Sequence, residues 1–161
     1  MSRSLPLLVA ALALPSLIPG AGNAPLDRAT LRGLTGVNVV VDKIDPQIEA
    51  AGVTSEAVRA RIEDRLRTAM VPIDASKPDF VAVRLTGVRA NRGPFAVVVT
   101  LGVYQPVVLV RDPKVRTATQ TWEVETVLLA DTKQLYRGVM DSIDELSVSF
   151  IAAFRSANAE K

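Results

Sequence analysis

Hydrophobic positions along this chain repeat with a period of two in four stretches and at helical spacing in two more. Val37, Val39 and Val41 fall on one side of an extended backbone and Asn38, Val40 and Asp42 on the other, the alternation of a strand rich in β-branched residues. Asp45-Pro46 reads as an N-cap and first-turn proline, with Gly52 placed to end a single helical turn. Thr54 or Ser55 then caps a longer helix with the apolar stripe Val58, Ile62, Leu66, Ala69 and Met70. Arg59, Glu63 and Arg67 form a charge ladder on its other side. Pro72 ends that helix, and turn-rich sequence after it leaves room for a short edge strand at Ile73. Phe80 to Val88 alternates again before the loop ANRGP reverses the chain.

The next run, VVVTLGVYQPVVLVR from Val97 to Arg111, has no charge until its last residue. It is dominated by Val, interrupted by Gly102 and Pro106 and bounded by turn sequences, so it predicts a long strand and not a membrane helix. Extended at ~3.3 Å per residue, Phe95 to Val110 would run roughly 50 Å, which calls for a bend or bulge at Gly102 or Pro106. Pro106 cannot donate to a ladder, so this half of the strand belongs at an edge or outside the sheet. After a turn at Asp112 to Lys114, Arg116 to Leu129 forms the partner. It sets Ala118, Trp122, Val124 and Leu128 on a buried side and Thr119, Thr121, Glu123 and Glu125 on a wet one. Asp131 or Thr132 caps a final helix, with Gln134 completing a capping box and Leu135, Val139, Ile143, Leu146, Phe150 and Phe154 as its apolar stripe. The prediction is an α+β fold: a mainly antiparallel sheet of about four strands in the order β-α-β-β-β-α, with two helices packed on one face. The domain spans residues 36–157, between a lead-in segment 25–35 and a tail 158–161.

Residues 1–24 read as an export signal. One basic residue, Arg3, precedes the apolar stretch LPLLVAALALPSLIPGAGNA, which closes in small residues. Cleavage fits after Gly22 or after Ala24, each with a small residue two positions before it, although Pro25 disfavours the second. A retained anchor is the competing reading, since about 20 apolar residues span a bilayer. The Ala-rich composition, the helix-breaking Pro15 and Pro19 and the single basic residue favour cleavage.

The chain has 161 residues, enough for one domain of ordinary size. Its 19 Lys and Arg against 17 Asp and Glu give a net charge of +2, which falls to +1 without the leader, whose one charge is Arg3. The bases are interspersed, so no nucleic-acid footprint is expected. The chain contains no Cys and no His. This excludes thiolate nucleophiles, disulfides, Cys/His metal sites, His-based relays and lipid attachment at a lipobox cysteine.

What chemistry remains rests on carboxylates and surface. Glu123 and Glu125 stand ~6.5 to 7 Å apart on one strand face, a spacing inverting glycosidases use, though such a pair on a wet sheet commonly serves solubility. Asp42, Asp45 and Glu49 suggest a hard-cation site but lack calcium-loop spacing, so no metal is expected. Arg111, Lys114 and Arg116 make a basic hairpin tip, with Arg89 and Arg92 at the other turn; charged tips also block edge association. Tyr104, Pro106, Val108 and Val110 form the candidate interaction surface, apolar and edge-like.

LRGLTGVNVVVDKI, AAGVTSEAVRARIEDRLRTA, VYQPVVLVR, the Thr121-Trp122 pair and the closing SFIAAFRSAN resemble an uncharacterised family of short exported bacterial proteins over nearly the whole mature chain. The resemblance implies no catalytic residues. In element order the chain is also similar to the lipopolysaccharide-assembly lipoprotein and to auxiliary lipoproteins of ABC-type transport systems, from which it departs in having no lipobox cysteine. The expectation is an exported, periplasmic or secreted, non-enzymatic module that needs no cofactor. It would meet a second copy, as a homodimer, or an envelope protein by edge pairing, and touch membrane only through a retained leader. A carboxylate-dependent glycan hydrolase using Glu123 and Glu125, and a lipid-binding envelope accessory, are the alternatives.

Overall fold

The computed structural model describes residues 22–89, 91 and 93–159. In chain order these form α1 (Pro25–Ala29), β1 (Asn38–Val41), α2 (Pro46–Ala50), α3 (Ser55–Thr68), β2 (Phe80–Arg89), β3 (Phe95–Leu109), β4 (Asp112–Ala130) and α4 (Leu135–Asn158). The strands make a four-stranded sheet ordered β1-β2-β3-β4. β2 pairs antiparallel with β3, and β3 with β4, but β1 runs parallel to β2. The sheet is therefore mixed: two of its three pairings are antiparallel, as expected, and the third is parallel. The connection from β1 to β2 passes through α2 and α3, the helical crossover that parallel neighbours need. The short strand expected at Ile73 is a parallel bridge to Val37. Among the described residues the helices number four, of which only α3 and α4 are long.

Local chemistry sets the helix ends. The Asp45 carboxylate accepts from the Gln47 N–H at 2.7 Å and the Thr54 hydroxyl from the Ala57 N–H at 3.2 Å, capping α2 and α3. α3 ends through two bonds, Met70 N–H to the Arg67 carbonyl and Val71 N–H to the Leu66 carbonyl, around a left-handed Met70 at φ 59°. Met70 was expected in the apolar stripe; as the left-handed residue it turns out and is 84% exposed. Asp131 accepts from Lys133 and Gln134 N–H, shaping the turn before α4. The helix itself starts at Leu135 behind Gln134, which offers no side-chain cap, so the expected capping box is absent.

α3 and α4 lie side by side over one face of the sheet. Val58, Ile62 and Leu66 of α3 and Leu135, Val139, Ile143, Leu146 and Phe150 of α4 are buried against Val81, Val83, Val97, Val99, Leu101, Val103 and Trp122. Trp122 meets Phe150 with ring centroids 5.4 Å apart. Asp144 of α4 takes a bidentate pair from Arg61 and a longer one from Arg65 of α3, and its carboxylate raises the Arg61 guanidinium pKa. On the ladder side of α3, Glu63 pairs with Arg67, while Arg59 donates to the Val39 carbonyl. The segment before β1 joins this core through Leu31 and Leu34, and Asn158 clasps it with bonds to the Leu31 carbonyl and from the Gly33 N–H. Phe150→Ala is expected to cost about 3–5 kcal/mol in urea unfolding. Met70→Gly, which relieves a left-handed side-chain position, is expected to add about 0.5–1 kcal/mol in the same measurement.

Candidate functional site

The side chains of β1 to β4 that point away from the helices form rows read off the strand register. Asn38, Phe80 and Tyr104 make one row with Gln120; Val40, Ala82 and Gly102 make the next with Glu123. Arg84, Thr100 and Glu125 follow, then Thr86, Val98 and Val127, and last Val88, Ala96 and Leu129. One end of this outer face is thus polar and the other apolar.

At the polar end, Tyr104 stacks on Phe80 with centroids 5.1 Å apart and planes 2° from parallel. Its hydroxyl donates to Gln120 Oε1 at 2.7 Å and accepts from Arg84 Nη2 at 3.2 Å. Arg84 also donates to Asp42 at 2.8 Å, and the Asp42 carboxylate, followed by the Tyr104 hydroxyl, raises its pKa. Tyr104 is therefore held by its own sheet, unlike the rest of the proposed contact strand.

The register explains why. Between Val103 and Tyr104 the partner on β4 jumps from Trp122 to Gln120, leaving Thr121 as an extra residue. The bulge falls between the two positions proposed for it, on the partner strand. It puts Gln120 and Glu123 on the same face, where Gln120 Nε2 donates to Glu123, and it breaks the simple alternation expected from Thr119 to Glu125. Thr121 itself donates to Gln105 Oε1 at 2.6 Å.

Beyond the bulge β2 has ended, since its last pair with β3 is Phe80 with Tyr104. Gln105 to Leu109 continue with β4 alone as a two-stranded arm whose tip is Val110-Arg111, so the turn comes two residues earlier than Asp112 to Lys114. Pro106 sits where the strand has only one neighbour. Val108 is 51% and Val110 98% exposed. Arg111, Lys114 and Arg116 are exposed on the same arm.

At the opposite, apolar end of the outer face, Val88, Val127 and Leu129 are 72%, 66% and 74% exposed, with Ala96 and Val98 between them. The sequence reading missed this patch. Its signal is the consecutive Val127-Leu128-Leu129, which places apolar side chains on both faces of β4.

The remaining candidates separate. Glu123 and Glu125 stand over Gly102 and Thr100 on the open sheet, and neither lines the groove of about 490 Å³ beside Arg61, Asp64, Tyr136 and Arg137 on the helix side. Asp42 binds Arg84 and Asp45 caps α2, and no cluster of three acidic side chains able to hold a metal occurs among the described residues. Between sheet and helices the space is filled by Val99, Leu101, Trp122, Ile143 and Phe150. Arg89 lies over the Phe95 ring at 4.9 Å, far in sequence order from the basic arm; Arg92 is outside the described residues. Among the described residues, no helix is long and apolar enough to cross a membrane.

No protein-family model and no curated protein matches the sequence. Among solved structures, the chain is similar to a PelC dodecamer from Paraburkholderia phytofirmans at 13% identity and a TM-score of 0.42, over 71% of this chain and 85% of that one. Tyr104→Phe is expected to lower stability by about 1 kcal/mol, as two hydrogen bonds of the outer face are lost, while leaving the molecular mass in solution unchanged. Denaturant unfolding and light scattering check the two halves.

Proposed function

We propose that the chain is an exported, non-enzymatic module that self-associates, the β3–β4 arm of one copy lying on the outer sheet face of another. The observation that carries this reading is that a single chain bears two exposed apolar surfaces of opposite charge. The arm presents Val108 and Val110 among Arg111, Lys114 and Arg116, against the single acid Asp112. The sheet face presents Val88, Val127 and Leu129 beside Glu125, with Glu123 in the next row, while Arg84 there is already matched by Asp42. Apolar surface of this kind on a soluble domain marks a contact site, and the charges fix its partner and orientation. A two-stranded ribbon is marginal by itself, so docking also stabilises the arm.

An arm that binds a different surface on its neighbour makes a heterologous contact, and this can be tested by complementation. The exported protein is expected to exceed monomer mass in light scattering. Val108→Asp with Val110→Asp, or Val127→Asp with Leu129→Asp, is expected to yield monomer in each case. Mixing the two variants restores one intact arm-to-face contact and is expected to give dimers. A monomeric wild type, or face variants of unchanged mass, overturns the reading.

A further inference from the structure

We propose that an export peptidase cuts this chain between Gly22 and Asn23, making Asn23 the first residue of the mature domain; this rests on the export reading of residues 1–24. The step is a hydrolysis. Water delivers its hydroxyl to the Gly22 carbonyl carbon and a proton to the Asn23 nitrogen as the peptide bond breaks. The leader departs with a carboxylate and the domain keeps a free α-amine.

Small residues at the first and third positions before the cut allow two bonds, after Gly22 and after Ala24. The fold discriminates between them. Asn23 Oδ1 accepts from the indole N–H of the buried Trp122 at 3.0 Å, and the Asn23 carbonyl accepts from Arg28 Nε at 3.1 Å. Ala24 opens α1: its N–H donates to Asp27 Oδ2 at 3.0 Å, and its carbonyl accepts from the Arg28 N–H at 3.0 Å. A cut after Ala24 discards all four bonds, the protein partner of the Trp122 indole N–H among them. Among the described residues, a cut after Gly22 gives up one bond, Glu123 N–H to the Gly22 carbonyl at 3.1 Å, on a half-exposed stretch of β4 where water takes its place. Pro25, next to the rejected bond, points the same way.

Gly22 supplies a second handle. It holds φ +97°, and a Cβ there would stand 3.0 Å from Glu123 Cβ and from the Glu123 carbonyl oxygen. A side chain at this position is therefore harmful only while residue 22 remains attached.

The test is expression of the full-length chain in a bacterium with export machinery, followed by N-terminal sequencing and intact mass of the exported product. The expected first residue is Asn23. An exported product beginning at any other residue, a membrane-held chain with its leader retained included, overturns the cut and leaves export standing, whereas a chain found in the cytoplasm with residues 1–22 attached overturns the export reading beneath it. In the exported product Asn23→Ala is expected to lower Tm by about 3 °C or more, and Gly22→Ala to leave Tm unchanged. An unchanged Tm for the first, or a lowered Tm for the second, overturns the assignment.

Discussion

Two helices of different length cover one face of a sheet whose last hairpin is longer than either. At 1.5 Å per residue the 14 residues of α3 span roughly 21 Å and the 24 of α4 roughly 36 Å. At ~3.3 Å per residue the 15 residues of β3 reach about 50 Å. The helix layer therefore runs out before the hairpin does. The core under it, from Val81 to Trp122, is built mainly of apolar side chains, with Ser147 of α4 satisfied by its own helix, because backbone groups there are paired within the sheet. Everything beyond it, and the whole of the other face, must meet water or another molecule.

The transition between these regimes is concentrated at Thr121. The extra residue lets Trp122 face the helices while Gln120 and Glu123 share the outer face, so one strand serves the core and the polar network around Tyr104 together. The same point receives the N-terminal segment: Thr30 donates to the Thr121 carbonyl at 3.2 Å, and Asn23 accepts from Trp122. The segment from Asn23 to Thr30 is thus fastened at the root of the arm. Processing and assembly, in the reading advanced above, act on neighbouring parts of one strand.

The self-association proposed for the arm and the acid-flanked sheet face would also account for a feature that folding alone does not require. Val127 and Leu129 gain nothing from exposure, yet they alternate in register with Val88 and Val98 across three strands, forming a continuous surface and not scattered residues. The basic residues of the arm and the acids of the sheet keep opposite signs on the two surfaces, which discourages arm-to-arm and face-to-face pairing and favours the mixed contact.

Much of this was legible in the residues alone. Asp45 and Thr54 cap where their spacing says they should, the stripe from Leu135 to Phe150 faces inward, and Pro106 lies where β3 loses a neighbour, because caps, helical periodicity and the missing donor of proline act within a few residues. The parallel pairing of β1, the outward turn of Met70, the capture of Tyr104 by Arg84 and Gln120, the extra residue at Thr121 and the patch at Val127 and Leu129 were decided by the tertiary structure. Each depends on which distant segment lies alongside, and a period-two pattern is the same whichever neighbour, register or face the folded chain finally selects.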